Sequence, residues 1–194
     1  MSNEHPIDSS AGLRILTGAA SALARSVDLD ASLRRLLDLA REVLGVPDGA
    51  LFVQDPDLAD FQPAAVVGFD EQGIARLDAA LRQPGDLLLA AIRDRLPVRL
   101  QSGIGDEATD LLGQLGLRAL ALQPLVVVRG GIETSVGLMA LGWDAGGDPP
   151  GNVDALVGPI AELAGVAIDR AQLASLAAER SEWFERMAHT DPLT

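Results

Sequence analysis

The stretch "LRALALQPLVVVRGGIETSVGLMALGW", Leu117 to Trp143, decides the fold. Two long apolar runs flank Arg129-Gly130-Gly131, and consecutive glycines suit the left-handed backbone of a tight hairpin. Both runs are apolar on both faces, the mark of central strands covered on two sides. The pair is therefore expected in the middle of an antiparallel sheet with helices packed on each face. Its two faces differ in size. Leu120, Leu122, Val126 and Val128 are bulky, whereas Ala119, Ala121 and Gln123 present two methyl groups and an amide.

Working outward, "ALFVQ" (Ala50 to Gln54) and "AAVVG" (Ala64 to Gly68) read as short strands either side of "DPDLADFQP", where Asp-Pro-Asp supplies turn chemistry. Asp70 to Leu96 suits one or two helices, and Pro97 to Leu100 a short strand. "GDEATDLLGQLG" predicts a helix started by Asp106 or Thr109 and ended by Gly116. Asp28 and Asp30 open a core-facing helix whose apolar stripe runs Leu33, Leu36, Leu37, Ala40, Val43 and Leu44 to a stop at Gly45. Before it, Leu13, Leu16, Ala20, Leu23 and Val27 form a narrower stripe, more like a pairing seam than a globular face. The end of the chain mirrors this. One long helix is expected from Val153 to about Thr190, thickly apolar at first and then reduced to Leu173, Leu176, Arg180, Trp183 and Met187 at heptad spacing.

The fold class is α+β: a mostly antiparallel sheet bracketed by two seam-like helices. The boundaries expected are a tail over 1–9, a dimerisation helix over 10–27, one domain over 28–172, and a coiled-coil-like helix over 173–190. Residues 191–194 begin something else.

Composition narrows the function. The 194 residues carry 28 acidic and 15 basic side chains, a net charge of −13, and every basic residue is arginine. Such a charge repels phosphate backbones and anionic lipid, so neither nucleic acid nor a membrane surface is an expected partner. Without lysine there is no Schiff base and no P-loop lysine. Without cysteine there are no disulfides, thiolate nucleophiles, iron–sulfur ligands or thioether-linked chromophores. The N-terminus has no basic region followed by an apolar run, and no stretch approaches membrane-spanning length, which reads as a cytoplasmic protein.

The order of elements, together with "VDLDASLRRLLDLAREVLGVPDGALFV", the hairpin above and "VDALVGPIAELAGVAIDRAQL", resembles a GAF domain, the small-molecule-sensing module of bacterial signalling proteins. Pro124-Leu125 and Gly137-Leu138 match the paired central strands of that family, and Ala167 to Leu173 its closing helix. The similarity spans roughly Val27 to Leu173. The last residues, "MAHTDPLT", resemble the start of a GGDEF (diguanylate cyclase) domain, with Asp191, Leu193 and Thr194 on the pattern. The resemblance thus implies a sensor that controls cyclic di-GMP synthesis in a homodimer, since that reaction needs two catalytic domains facing each other. "GGDPP" (Gly146 to Pro150) is not a second cyclase signature, because prolines stand where Glu and Phe belong; it reads as a loop.

The resemblance also implies a site. In GAF domains one sheet face packs the terminal helices and the other floors a ligand cavity. The small face of Ala119, Ala121 and Gln123, continued by Gly137 and Met139, is the expected floor, with Arg118 at the strand edge to meet an anion. Small residues equally admit a closely packed helix, and a surface ion pair is the commoner fate of such an arginine. A cyclic nucleotide is one ligand class, although the lysine-containing signature of some binders is missing. Haem held by an internal histidine is not expected, because His5 and His189 lie in the tail and at the end of the last helix. Bilin attachment and sulfoxide reduction fail for want of cysteine. Asp106, Glu107 and Asp110 lack the spacing of a calcium loop and read as a capped helix start. No nucleophile, base or metal set assembles, so the chain itself is not expected to be an enzyme. A ligand-free dimerisation module is the alternative to a sensor.

Overall fold

The computed structural model describes residues 17, 28–55, 60–144, 146–147 and 149–189. The expected tail, the first-helix residues Leu13, Leu16 and Leu23, and residues 191–194 lie outside the described residues.

Helix α1 (Leu29–Leu44) begins where the Asp28 carboxylate accepts from the Asp30 N–H and ends at Gly45, whose φ of 62° is the left-handed conformation that terminates a helix. Strands β1 (Asp48–Gln54) and β2 (Phe61–Val67) follow. β2 starts three residues before the expected Ala64 and takes in Phe61-Gln62-Pro63. It tolerates Pro63 because it is an edge strand, where a missing N–H costs no ladder bond. Helices α2 (Glu71–Arg82) and α3 (Asp86–Ile92) fill the expected helical region. Then come β3 (Val98–Gln101), α4 (Asp106–Leu115, closed by left-handed Gly116), β4 (Ala119–Arg129), β5 (Ile132–Trp143) and α5 (Val153–His189).

The five strands form one antiparallel sheet in the order β2-β1-β5-β4-β3, so the β4–β5 hairpin lies at its centre. Two cores flank it. On one face, Leu33, Leu36, Leu37 and Ala40 of α1 and Val157, Ile160, Ala164 and Ile168 of α5 pack on Leu51, Leu125, Met139 and Leu141. On the other, Leu77 and Leu81 of α2, Leu88 of α3 and Leu112 of α4 pack on Phe52, Leu120, Leu122 and Leu138.

One charge sits badly in this frame. Asp48, at the start of β1, has its carboxyl pKa raised, first by burial and then by repulsion from Asp144, against an attraction to Arg41 that exceeds the further repulsion from Asp70. A raised folded-state pKa means that the carboxylate opposes folding. That cost grows as pH rises from the ordinary Asp range through the folded value, and it is fully present at neutral pH. Asp48→Asn should therefore raise the urea midpoint at pH 7, with the gain vanishing below about pH 3, where both forms are neutral. An unchanged midpoint at pH 7 would show that Arg41 offsets the burial.

Candidate functional site

The structure reverses the two sheet faces expected from side-chain size. Ala119, Ala121 and Met139 are buried in the core beneath the terminal helices, and of the three only Ala121 also borders a hollow. The small side chains of Ala119 and Ala121 leave room on this face for α5, which lies against β4 at Gly165, where an added Cβ would stand 3.4 Å from the Val126 carbonyl oxygen. Gln123 is half-buried on this face, its amide 3.4 Å from the Pro124 carbonyl. Gly137 is buried beside Leu125 and cannot line a cavity, because even a Cβ has no room there. Arg118 is exposed, and its backbone N–H donates to the Trp143 carbonyl at 2.7 Å. The bulky face carries α2, α3 and α4, and its leucines fill the space between sheet and helices.

A concave site exists elsewhere, at the outer edge of β3. A cavity of about 470 Å³ lies between Arg99, Leu100 and Gln101, Ile104 just before α4, Ala108 in its first turn, Leu87, and the Pro149-Pro150-Gly151 loop. Ala121 is the one member of the expected floor that lines it, beside Leu120 and Trp143. The Trp143 side chain is buried, and its indole Nε1–H has no hydrogen-bond partner among the described residues. Arg99 closes the rim by clasping Asp154 in the first turn of α5, with contacts of 3.0 and 2.6 Å. That turn is where a helix dipole favours a carboxylate. Apolar walls with a few polar groups at the mouth suit a small amphipathic molecule. The short strand expected over Pro97 to Leu100 is β3, which occupies Val98–Gln101. What sequence reading could not see was that the loop before α5 folds over that strand.

The second feature is α5 itself. Its inner face is packed on the sheet as far as Ile168, and from Leu173 to Met187 every side chain is exposed. Leu173, Leu176, Trp183 and Met187 are 51–55% exposed, and Phe184, against whose ring Trp183 stands edge-on at 5.1 Å, more so. Leu173, Leu176, Arg180, Trp183 and Met187 follow the expected spacing of three and four. At about 1.5 Å per residue the helix is roughly 55 Å long, and this last part stands clear of the body like a stalk. Its root is tied down. Arg129 Nε is 2.6 Å from Asp169 Oδ1, its guanidinium also donates to Gln172 Oε1 at 3.0 Å, and Gln172 Nε2 donates to the Gln54 carbonyl at 3.1 Å. Sequence reading missed this clasp, since partners forty and more positions apart leave no local signal.

Among the described residues no cluster of three or more His, Asp or Glu side chains is placed to hold a metal ion. None of the described helices is long and apolar enough to cross a membrane.

A five-stranded antiparallel sheet in this order, with helices on both faces and a long closing helix, is the GAF fold. Three solved structures illustrate the likeness. The GAF domain of an Acinetobacter phosphoenolpyruvate-protein phosphotransferase is 13% identical, covers 90% of this chain and 99% of its own, and superposes with a TM-score of 0.65. The corresponding domain from Coxiella burnetii is 16% identical, with 88% and 99% covered and a TM-score of 0.64. A GAF domain/HD domain protein from Geobacter sulfurreducens is 21% identical, with 76% and 96% covered and a TM-score of 0.60. No protein-family model matches the sequence, and a search of curated proteins finds no match.

Proposed function

We propose that this chain is a regulatory sensor module that works as a parallel homodimer, zipped through the exposed end of α5, and that a small molecule at the β3 edge alters how the two stalks emerge. The observation that carries the reading is the stalk: fifteen successive exposed residues in which Leu173, Leu176, Trp183 and Met187 fall, with Arg180, on one heptad seam and Phe184 lies beside it. A lone helix leaves that stripe in water, and pairing two copies buries it. Arg180 on the seam keeps the pairing marginal, and in a parallel pair it meets Glu179 of the second copy. Helix register or splay is then a control variable that a few kcal/mol can shift. The edge cavity is suited to work it, because its rim includes the Arg99–Asp154 clasp at the head of the same helix. The output is a diguanylate cyclase domain, a reading supported by the resemblance of Asp191, Leu193 and Thr194 to the start of one. Cyclic nucleotides are among the ligands to try.

The leucine-filled face between the sheet and α2, α3 and α4 favours a second reading, a ligand-free module that only joins two effector domains. Thermal-shift screening against cyclic nucleotides and amphipathic metabolites separates the two. A ligand of the edge cavity should raise Tm by several degrees near saturation, and Gln101→Ala with Ile104→Ala should shrink the rise. A rise unaffected by those changes would move the site elsewhere, and no rise with any compound would leave the joining role.

A further inference from the structure

A second hollow, of about 480 Å³, opens at the opposite end of the sheet, against the root of the stalk. Arg93, Arg95, Arg129, Thr134, Ser135 and Gln172 line it. Three guanidinium groups and two hydroxyls converge here in a chain of net charge −13, with Asp55 the one acid in the wall. Two of the guanidinium groups are already paired, Arg93 with Asp94 at 2.9 Å and Arg129 with Asp169. Arg95 has no ion-pair partner among the described residues.

Its backbone is the second observation. Arg95 has φ 58°, the only left-handed non-glycine backbone among the described residues. It stands in the turn that follows α3, just before the Leu96 N–H donates to the Ala90 carbonyl at 3.0 Å. Glycine is the residue that such a turn prefers, because a Cβ is crowded there. Arginines near a helix C-terminus offset its dipole, which accounts for Arg93. Dipole compensation does not call for a strained residue two positions further on. A strained residue lining a hollow is a pointer to function.

We propose that this hollow binds a small molecule bearing a phosphate dianion, held by Arg95, by Arg93 once it swings from its exposed pair with Asp94, and by the Thr134 and Ser135 hydroxyls. Guanidinium groups pair with phosphate through two parallel hydrogen bonds, and the remaining oxygens can accept from hydroxyls. The exposed Arg93–Asp94 pair costs little to open. The hollow is larger than the anion alone, so the ligand carries a body beyond its phosphate. Gln172 forms part of the wall and is the residue immediately before Leu173. On the function proposed above, which this last step rests on, an anion here would act at the point where the stalk leaves the body.

Binding is tested apart from dimerisation. Inorganic pyrophosphate is the probe, titrated calorimetrically and by thermal shift into the whole chain, with sodium chloride of matched ionic strength as control. The expected result is a rise in Tm of about 3 °C or more at saturation beyond the salt control. In Arg95→Gly affinity should fall at least 10-fold, while Tm without ligand is no lower than that of the parent, because glycine suits the turn. The proposal is overturned by a rise no larger than that of the salt control, by R95G binding within twofold of the parent, or by a lower unliganded Tm in R95G.

Discussion

A chain carrying Leu176→Asp together with Trp183→Asp is expected to sediment as a monomer, and the parent as a dimer, at the same concentration. Both side chains stand about half exposed on the stalk, so pairing would remove the remaining half of each from water. At about 25 cal/mol per Å² that is roughly 1 kcal/mol per side chain, or about 4 kcal/mol for the four in a dimer. Losing it weakens association about a thousandfold, and placing buried carboxylates opposite one another adds to the loss. The folded body should be untouched, because these positions lie on the exposed part of α5. Circular dichroism and urea unfolding at low protein concentration should match the parent. Arg180→Leu is the converse experiment. It replaces a like-charged layer of the seam by an apolar one and should tighten the dimer by one to two orders of magnitude. Analytical ultracentrifugation over a wide concentration range reads both. A parent that stays monomeric near millimolar concentration, or a double variant indistinguishable from it, removes the basis for signalling through the stalk.

The second large effect is expected at Gly137, in the middle of β5. Here the reason for glycine is not the backbone angle but the space. A Cβ would overlap the Phe52 carbonyl oxygen of the neighbouring β1 and stand 3.1 Å from Leu125 Cδ1. Register irregularities fall close by on both sides, between Leu51 and Phe52 and between Leu125 and Val126, so three strands converge on this point. Neither neighbour can give way, since one is sheet backbone and the other a fully buried leucine. Gly137→Ala should therefore cost about 3–5 kcal/mol, a large fraction of the stability of a domain this size. Urea unfolding should show a much lower midpoint, or no folded baseline at all. Gly165→Ala is the matched control. Its added methyl would meet the Val126 carbonyl and Val127 Cγ1 each at 3.4 Å, ordinary contact, and within a helix alanine is preferred to glycine. A Gly137→Ala protein as stable as the control would mean that β1 and β5 separate more easily than the register implies.

The sheet's centre, its antiparallel sense and the helices around it were legible because each rests on a short-range rule. Gly130 and Gly131 permit the hairpin, runs apolar on both faces require cover on both sides, and Asp28 and Gly45 delimit α1. The heptad of Leu173, Leu176, Arg180, Trp183 and Met187 was legible for the same reason, since periodicity is local. Side-chain size, by contrast, misled. Alanines at 119 and 121 are equally good for a hollow or for a close helix, and nothing in the strand itself says which layer it faces. The chain resolves the ambiguity only when α5 returns to β4 from thirty-odd residues away and occupies the small face, leaving the leucines to α2, α3 and α4.

Both hollows belong to that second category. One depends on the Pro149–Gly151 loop folding over β3, the other on the ends of β1, α3 and the central hairpin meeting α5. A left-handed arginine at 95 has no signature in a sequence, because its strain is a property of the turn the surrounding packing imposes. Local pattern determined which elements form and which stripe is apolar. The choice of which face meets which helix, and where the gaps fall, was left to packing between distant segments, which minimises buried void and pairs buried polar groups across the whole domain.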